Sequence, residues 1–365
     1  MTSYSMWRRM EIKVNSIMAV PQFFCSNKFL HRITIIAGLG LALMSPVIAS
    51  AQCMTDGPLR GVNISGAEFN SGRIPGVLNK DYAYPNAADI EYIKSTGANI
   101  IRLPFRWERV QPELFKPLDQ KELRQISGVV SKANESGMCV ILDVHNYALY
   151  RGQTIGSEAV PNDAFFDLWK RLAVEFNDPD KTIYGLMNEP EKIGIEQWAP
   201  IAQQAVDEIR KAGAKNIILA PGGRWSGAHE WMKQRGATSN AEAFADFKDP
   251  LHRTWLEAHQ YADPNFSGTK QECVAPEKLK KIFDDLSDWA RKHHQKLFVG
   301  EFGVAGNDAC LTTLDAMLKA MDDEKVWRGW TYWAAGRWWG NYPMSVQPKD
   351  GQDAPQMGVL KKYFH

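Results

Sequence analysis

The sequence has 365 residues, of which 44% are hydrophobic and 11% are aromatic. This length suits one large globular domain or two small ones, and α/β barrels routinely use it for a single domain. The formal net charge is +1, and the part after residue 51 carries a small excess of acidic residues. We find no basic patch of the kind that binds nucleic acid, and a near-neutral surface favours an uncharged polymer as partner.

The amino-terminal segment has the features of an export signal. Two basic residues precede an apolar run over residues 33–44, and small residues ending at Ala51 follow this run. This order is typical of a cleaved signal peptide, and the alternative is a membrane anchor. We therefore predict a signal peptide at 1–51 and a mature, secreted chain at 52–365 that is free of the membrane, with the periplasm as a second possible location.

Short apolar segments rich in branched or aromatic residues recur along the mature chain, and each ends in polar residues or glycine. This composition is typical of buried parallel strands. The predicted strands are Leu59–Ser65, Asn99–Phe105, Cys139–Asn146, Thr182–Asn188, Asn216–Gly222, Trp255–Tyr261, Lys296–Gly303 and Trp327–Ala334.

Amphipathic segments lie between these strands, and capping residues mark several of their ends. The predicted helices are Ala87–Ser95, Lys121–Ser136, Ala164–Phe176, Ile195–Lys211, Glu277–His293 and Ala309–Glu324, while residues 226–249 mix helical and loop signals. Eight strand–helix repeats imply a parallel sheet closed into a (β/α)₈ TIM barrel. We expect a single catalytic domain without a carbohydrate-binding module.

The cysteines give one predicted disulfide. Cys273 and Cys310 lie in polar segments of an exported chain and are the best candidates for a bond. Cys139 lies in an apolar run and is most simply a buried thiol. Cys53 has no obvious partner, and no spacing of zinc-ligand type occurs, so we expect no metal site.

Polar side chains gather at the carboxyl ends of six predicted strands, the face of such a barrel where catalysis occurs. Any one of these residues could be a structural group, but six at one end point to a shared site. The residues are Arg102, His145, Asn188, Glu189, His259, Tyr261, Glu301 and Trp333.

Two of these residues suit the hydrolysis of a glycosidic bond. A retaining enzyme needs a carboxylic acid and a carboxylate nucleophile roughly 5–5.5 Å apart. Strands four and seven face each other across the barrel, so Glu189 can serve as acid/base and Glu301 as nucleophile. Arg102 is the cation that would keep Glu301 ionised, and Tyr261 can donate a hydrogen bond to it.

The remaining side chains of this end suit a sugar. Asn188 can hydrogen-bond the sugar 2-hydroxyl, and His145 and His259 can bind hydroxyls or the acid. Trp333 offers a flat platform for a sugar ring. The expected partner is therefore a polysaccharide.

The motifs that carry these residues, in this order, resemble those of glycoside hydrolase family 5. They are Ile101-Arg102-Leu103-Pro104, Asp143-Val144-His145-Asn146-Tyr147, Asn188-Glu189-Pro190, His259-Gln260-Tyr261 and Gly300-Glu301-Phe302-Gly303. The resemblance covers essentially the whole mature chain. It implies a (β/α)₈ barrel, retaining hydrolysis and no cofactor.

Further segments resemble the endo-β-1,4-glucanase branch of that family, among them Ala220-Pro221-Gly222-Gly223-Arg224-Trp225. This resemblance makes Trp225 a candidate stacking residue, and the Cys273–Cys310 pair resembles a disulfide of the branch. The implied activity is endo-hydrolysis of cellulose or related soluble β-glucans by a protein that we expect to be monomeric.

Three alternatives remain open. A β-mannanase or other β-glycan hydrolase would share the same catalytic residues and differ only in the cleft. A metal-dependent barrel hydrolase would use His145, His259 and carboxylates as ligands. A sugar-binding barrel without turnover is the non-enzymatic alternative.

Overall fold

The computed structural model describes residues 53–364, and the predicted signal peptide at 1–51 lies outside the described residues. Eight parallel strands form a closed barrel in which each strand pairs with its neighbours in chain order. The strands are β1 (Leu59–Ile64), β2 (Ile100–Phe105), β3 (Cys139–Val144), β4 (Thr182–Gly185), β5 (Ile218–Pro221), β6 (Thr254–Tyr261), β7 (Leu297–Gly303) and β8 (Trp327–Ala335).

A helix follows each strand, so the predicted (β/α)₈ barrel is confirmed. Asn86 begins the first helix with a capping box and Asp119 caps the second, as such side chains do by accepting from free amide groups. The helices are α1 (Ala87–Ser95), α2 (Gln120–Glu135), α3 (Asn162–Glu175), α4 (Ile195–Lys211), α5 (Asn240–Ala243), α6 (Pro276–Lys292), α7 (Asp308–Ala320) and α8 (Pro355–Leu360). Within residues 53–364, none of the helices has the length and apolar character that crossing a lipid bilayer requires.

The barrel interior has an apolar floor and a polar layer above it. Because alternate residues of a strand face the same side, Ile100 and Arg102 of β2 both point inward, as do Ile141 and Asp143 of β3. The floor is a cluster of buried side chains, Cys53, Leu59, Ile100, Cys139, Ile141, Ile183, Ile217, Leu219, Trp255 and Phe298. The larger apolar cluster fills the space between the barrel and its helices.

Most predicted elements agree with the structure to within a few residues, but short elements were missed. A four-residue helix at Trp107–Val110 and a hairpin of Leu149–Tyr150 with Gln153–Thr154 are too short for a periodic pattern. The prediction for β4 was too long, because the strand ends at Gly185. The residues after Gly185 form a turn that contains two of the predicted site residues, Asn188 and Glu189.

Two disulfides are formed within residues 53–364, and one of them differs from the prediction. Cys273 and Cys310 are bonded as predicted, with Cα atoms 5.3 Å apart. Cys139 was predicted to be a free thiol, and this is wrong because it is bonded to Cys53. The bond itself places Cys53 at the start of β3, and the Cys53 amide donates to the carbonyl of Asp180 just before β4. Cys139 itself belongs to the barrel floor, and the apolar residues next to it in the sequence do not indicate that this cysteine is unpaired.

The two disulfides are expected to contribute unequally to stability. Cys53–Cys139 closes a separation of 86 residues and Cys273–Cys310 closes 37, so the first removes more entropy from the unfolded chain. We expect the Cys53→Ala/Cys139→Ala variant to lose about 4.5 kcal/mol and Cys273→Ala/Cys310→Ala to lose about 4 kcal/mol. Urea unfolding of both variants beside the oxidised parent measures this. A larger loss in the second variant would contradict the loop-closure argument.

Candidate active site

The site lies at the carboxyl ends of the strands, on the opposite side of the barrel interior from the apolar floor. A buried polar layer separates the two, and it consists of Asn63, Arg102, Asp143 and Glu257 from four different strands. The next inward-facing positions on β3 and β6 bring His145 and His259 to the mouth. The two histidines therefore lie in a second polar layer, directly above the layer that contains Asp143 and Glu257.

Glu301 lies on β7 and is held by two donors. Arg102 Nη1 donates to Glu301 Oε1 at 2.9 Å, and the Tyr261 hydroxyl donates to Oε2 at 2.7 Å. Both contacts were predicted from the sequence. A buried carboxylate with a guanidinium and a phenol as donors is stabilised in its charged form.

Glu189 follows β4 in a turn, where its backbone adopts a left-handed conformation with φ of 44°. Its Oε1 lies 2.8 Å from His259 Nδ1. Burial raises the pKa of Glu189; the hydrogen bond with His259 opposes this rise, and the charge of Glu301 adds to it. A raised pKa is what a carboxyl group needs to carry a proton for donation.

The two glutamates approach each other closely. One carboxylate oxygen of Glu189, one of Glu301 and a ring nitrogen of His259 all lie within 4.8 Å of one another. This separation is well below the roughly 6.5–9.5 Å by which inverting enzymes separate their two carboxyl groups to admit an attacking water. It fits the geometry of a retaining mechanism.

Arg102 connects the site to the layer below. Besides Glu301, its Nη1 donates to Asn63 Oδ1 at 3.0 Å, and its Nη2 donates to Asn188 Oδ1 at 2.9 Å. The same Nη2 forms ion pairs with Asp143 at 3.1 Å and Glu257 at 3.2 Å. The side chain is fully buried, and three carboxylates raise its pKa further although burial opposes this.

Aromatic side chains form the walls of the site. Trp333 of β8 stacks on His145, with ring centroids 5.4 Å apart and planes inclined by 18°. Trp339 packs edge-on against Trp333 and stacks on Tyr342. These contacts hold the Trp333 ring in one orientation beside Tyr261.

Trp225 lies apart from this cluster on the loop after β5. It is 41% exposed, which is unusual for so large an apolar side chain. Arg224, Trp225 and Ser226 are all left-handed, with φ between 54° and 56°. The Trp225 amide donates to the carbonyl of Pro190, next to Glu189. The loop therefore presents an exposed indole on the Glu189 side of the site.

The eight predicted residues other than Trp225 converge on one centre, and Trp225 borders it. Asp143 and Glu257 were not among the residues predicted from the sequence to form the site. The sequence does contain a pattern that predicts them, because each of these acidic residues lies two positions before a site histidine in the same predicted strand. A side chain two positions earlier faces the same interior.

Glu189, His259 and Glu301 are also the group of described residues whose atoms are close enough to hold a metal ion. Their existing contacts argue against that use. Both carboxylate oxygens of Glu301 already accept hydrogen bonds, from Arg102 and Tyr261. Arg102 Nη1 lies 2.9 Å from Glu301 Oε1, so its positive charge would repel a metal cation bound to this carboxylate. His259 has both ring nitrogens directed at carboxyl groups, so it is poorly arranged as a neutral ligand.

Comparison with known proteins yields one consistent family. Residues 62–337 match the model for cellulase, glycosyl hydrolase family 5. The chain is 33% identical over 307 residues to endo-β-1,4-glucanase B of Aspergillus niger, covering 83% of this chain and 89% of that protein.

Two solved structures are similar at higher identity. XacCel5A, solved in complex with cellopentaose, is 49% identical with a TM-score of 0.82, covering 85% of this chain and all of the other. An endo-β-1,4-glucanase from Xanthomonas axonopodis pv. citri is 45% identical with a TM-score of 0.83, covering 84% and 98%.

The central position of Arg102 predicts a pH-dependent loss of stability when it is replaced. Burial already raises the pKa of Asp143 to about 7 although Arg102 opposes the rise, whereas Arg102 helps to keep the pKa of Glu257 low against its burial. In the Arg102→Met variant both carboxyl groups lose this cation, so the pKa of Asp143 rises further and that of Glu257 rises above its value in the unfolded chain. Such groups cost little below the unfolded pKa and destabilise increasingly as the pH rises. We expect a loss of about 3–5 kcal/mol at neutral pH and a smaller loss near pH ~4.

Urea unfolding across this pH range measures the effect, with Arg102→Lys as the charge-retaining control. The control should lose stability with a weaker dependence on pH, because the cation remains. A pH-independent loss in Arg102→Met would contradict the electrostatic role.

Proposed function

The chain belongs to the cellulases of glycosyl hydrolase family 5, and from this premise we propose that Glu189 is the acid/base and Glu301 the nucleophile of its reaction. The protein is a retaining endo-β-1,4-glucanase, which hydrolyses internal bonds of β-1,4-glucan. The observation that carries the assignment is the pair of carboxylates within 4.8 Å, one rich in donors and one with a raised pKa.

In the first step, an oxygen of Glu301 attacks the anomeric carbon and forms an ester bond while the glycosidic C–O bond breaks. Glu189 gives its proton to the departing oxygen, so the leaving chain is released as an alcohol. In the second step, Glu189 accepts a proton from water as the water oxygen attacks the same carbon. The ester bond breaks and Glu301 returns as a carboxylate.

The coupling of the two glutamates supports this change of role. The negative charge of Glu301 is one cause of the raised pKa of Glu189. Esterification removes that charge, so the pKa of Glu189 falls in the intermediate. Glu189 is then better suited to act as a base than as an acid.

We propose that the surrounding residues bind the sugar on either side of the bond. The amide of Asn188, whose oxygen is held by Arg102, is placed to contact the 2-hydroxyl near Glu301. The stacked Trp333 forms the platform for the sugar that becomes bonded to the enzyme. The exposed indole of Trp225 forms a platform on the leaving-group side.

We further propose that the mature protein acts outside the cell as a monomer on soluble or amorphous β-glucan. The two disulfides support an oxidising compartment. The side chains of the site come from β2, β6, β7 and β8 and from the residues that follow β3 and β4, all in one chain, so the site needs no residue from a second copy.

Replacing each glutamate should produce a different kinetic effect. We expect Glu301→Gln to lower kcat by at least about 10⁴-fold on every substrate and to retain cello-oligosaccharide binding. Glu189→Gln should lose about 10²–10⁴-fold on glucan but much less on an aryl glycoside whose leaving group needs no proton. Steady-state kinetics and calorimetry measure both.

A fluorinated mechanism-based glycoside, followed by peptide mapping, provides an independent readout. Covalent label on Glu301 is expected. Label on another carboxylate, or near-normal turnover by Glu301→Gln, would remove Glu301 from the nucleophile role.

Trp225→Ala is expected to raise KM for cello-oligosaccharides about 10-fold, because one stacking platform contributes about 1–1.5 kcal/mol. Met232 is a matched control, since it lies on the same loop and is 42% exposed. Met232→Ala should leave KM unchanged. Equal effects of the two substitutions would show that Trp225 has no specific contact with the substrate.

The linkage preference is tested on carboxymethyl-cellulose and mannan, with the anomeric form of the product recorded. We expect cleavage of the glucan with retention of configuration. Cleavage of mannan alone would favour the mannanase alternative, and inversion would contradict the proposed two-step mechanism.

A further inference from the structure

Two strands of the barrel each carry a buried carboxylate two residues before a histidine. Asp143 of β3 precedes His145, which directly follows that strand, and Glu257 precedes His259 within β6. Both carboxylates form ion pairs with Nη2 of Arg102, at 3.1 Å and 3.2 Å. The two pairs therefore share one cation below the site, but their histidines have different neighbours above it.

His145 has an acceptor at one nitrogen and donors at the other. Its Nδ1 lies 2.7 Å from Asp143 Oδ2, and its Nε2 lies 3.2 Å from Asn188 Nδ2 and 3.3 Å from the Tyr147 hydroxyl. The orientation of the Asn188 amide is fixed, because its oxygen accepts from Arg102. An amide nitrogen can only donate, so His145 Nε2 holds a lone pair and the ring proton is on Nδ1.

His259 has carboxyl oxygens at both nitrogens. Its Nδ1 lies 2.8 Å from Glu189 Oε1 and 3.8 Å from Glu301 Oε2, and its Nε2 lies 3.3 Å from Glu257 Oε1. A ring that faces three carboxyl groups is stabilised as the doubly protonated cation.

The neighbouring strand provides the space for this arrangement. Gly300 of β7 lies beside Glu257, and a Cβ atom at that position would come within 1.8 Å of Glu257 Oε1. A side chain at position 300 would therefore displace the carboxylate from beneath His259. The glycine preserves the contact.

We propose that Asp143 and Glu257 are positioning residues that hold the two active-site histidines in opposite charge states, neutral at His145 and cationic at His259. The neutral ring accepts from Asn188 and so aims its amide at the substrate. The cationic ring donates to Glu189 and stabilises the carboxylate that remains after Glu189 has given up its proton. This inference rests on the proposed function only for the roles of Glu189 and Glu301.

The electrostatic surroundings agree with this assignment. Burial lowers the pKa of His145 well below its ordinary value. At His259 burial also opposes the charge, but the carboxyl groups outweigh it and raise the pKa to about 10. The charged groups around His259 are Glu189, Glu257, Glu301 and Asp143, and those around His145 are Asp143, Arg102, Arg106, His259 and Glu301. Burial raises the pKa of Asp143 itself to about 7 although Arg102 opposes this rise.

NMR of the full mature chain with ¹⁵N-labelled histidine tests the proposal, since it reports each ring nitrogen without turnover. Between about pH 5 and 8, wild-type His259 should carry protons on both nitrogens and His145 on Nδ1 alone. Glu257→Gln should lower the His259 midpoint by at least about one pH unit and leave His145 unchanged. Asp143→Asn should change the His145 signals and leave His259 cationic.

The matched control is Glu122→Gln. Glu122 is a buried carboxylate that accepts from the hydroxyls of Tyr82 and Tyr84, away from the site, so its loss should move neither histidine. A neutral His259 in the wild-type protein, or an unchanged His259 midpoint in Glu257→Gln, would overturn the proposal. The wild-type spectrum decides the matter even if a variant fails to fold. Failure of the catalytic roles of Glu189 and Glu301 would appear in the kinetics and not in this spectrum.

Discussion

The structure depends on one buried guanidinium. Arg102 stands between the apolar floor of the barrel and the open site, and it contacts three carboxylates and two amides. Each of these groups would be costly to bury without a partner, because an ionised side chain in an apolar interior loses its hydration. A single cation thus allows several strands to carry polar side chains inward at the same level.

The charge of Arg102 also gives the catalytic residues different properties. It contacts Glu301 directly, whereas among residues 53–364 the ionic partner of Glu189 at hydrogen-bonding distance is His259. Burial consequently favours the protonated form of Glu189, while Glu301 is surrounded by donors. Two chemically identical side chains thereby gain the different properties that their proposed acid/base and nucleophile roles require.

The architecture and most of the site were predictable from local sequence. Buried parallel strands read as continuous apolar runs, and their polar ends must converge once eight of them close a barrel. The Cys53–Cys139 bond was not predictable, because it joins residues that only the closed barrel brings together. Glu257 was missed because it lies inside an apolar strand, where its partner Arg102 belongs to a strand four positions away. Contacts of this kind depend on the register of the whole barrel and not on any segment.

The same Cys53–Cys139 bond determines from which end of the barrel the protein can be linked to a fusion partner or a solid support. It fixes Cys53 beneath the amino ends of the strands, whereas the two glutamates lie at their carboxyl ends. A fusion partner or solid support linked ahead of Cys53 would leave from the face opposite the cleft. An enzyme immobilised in this way would keep its entrance for long glucan chains directed at the solution.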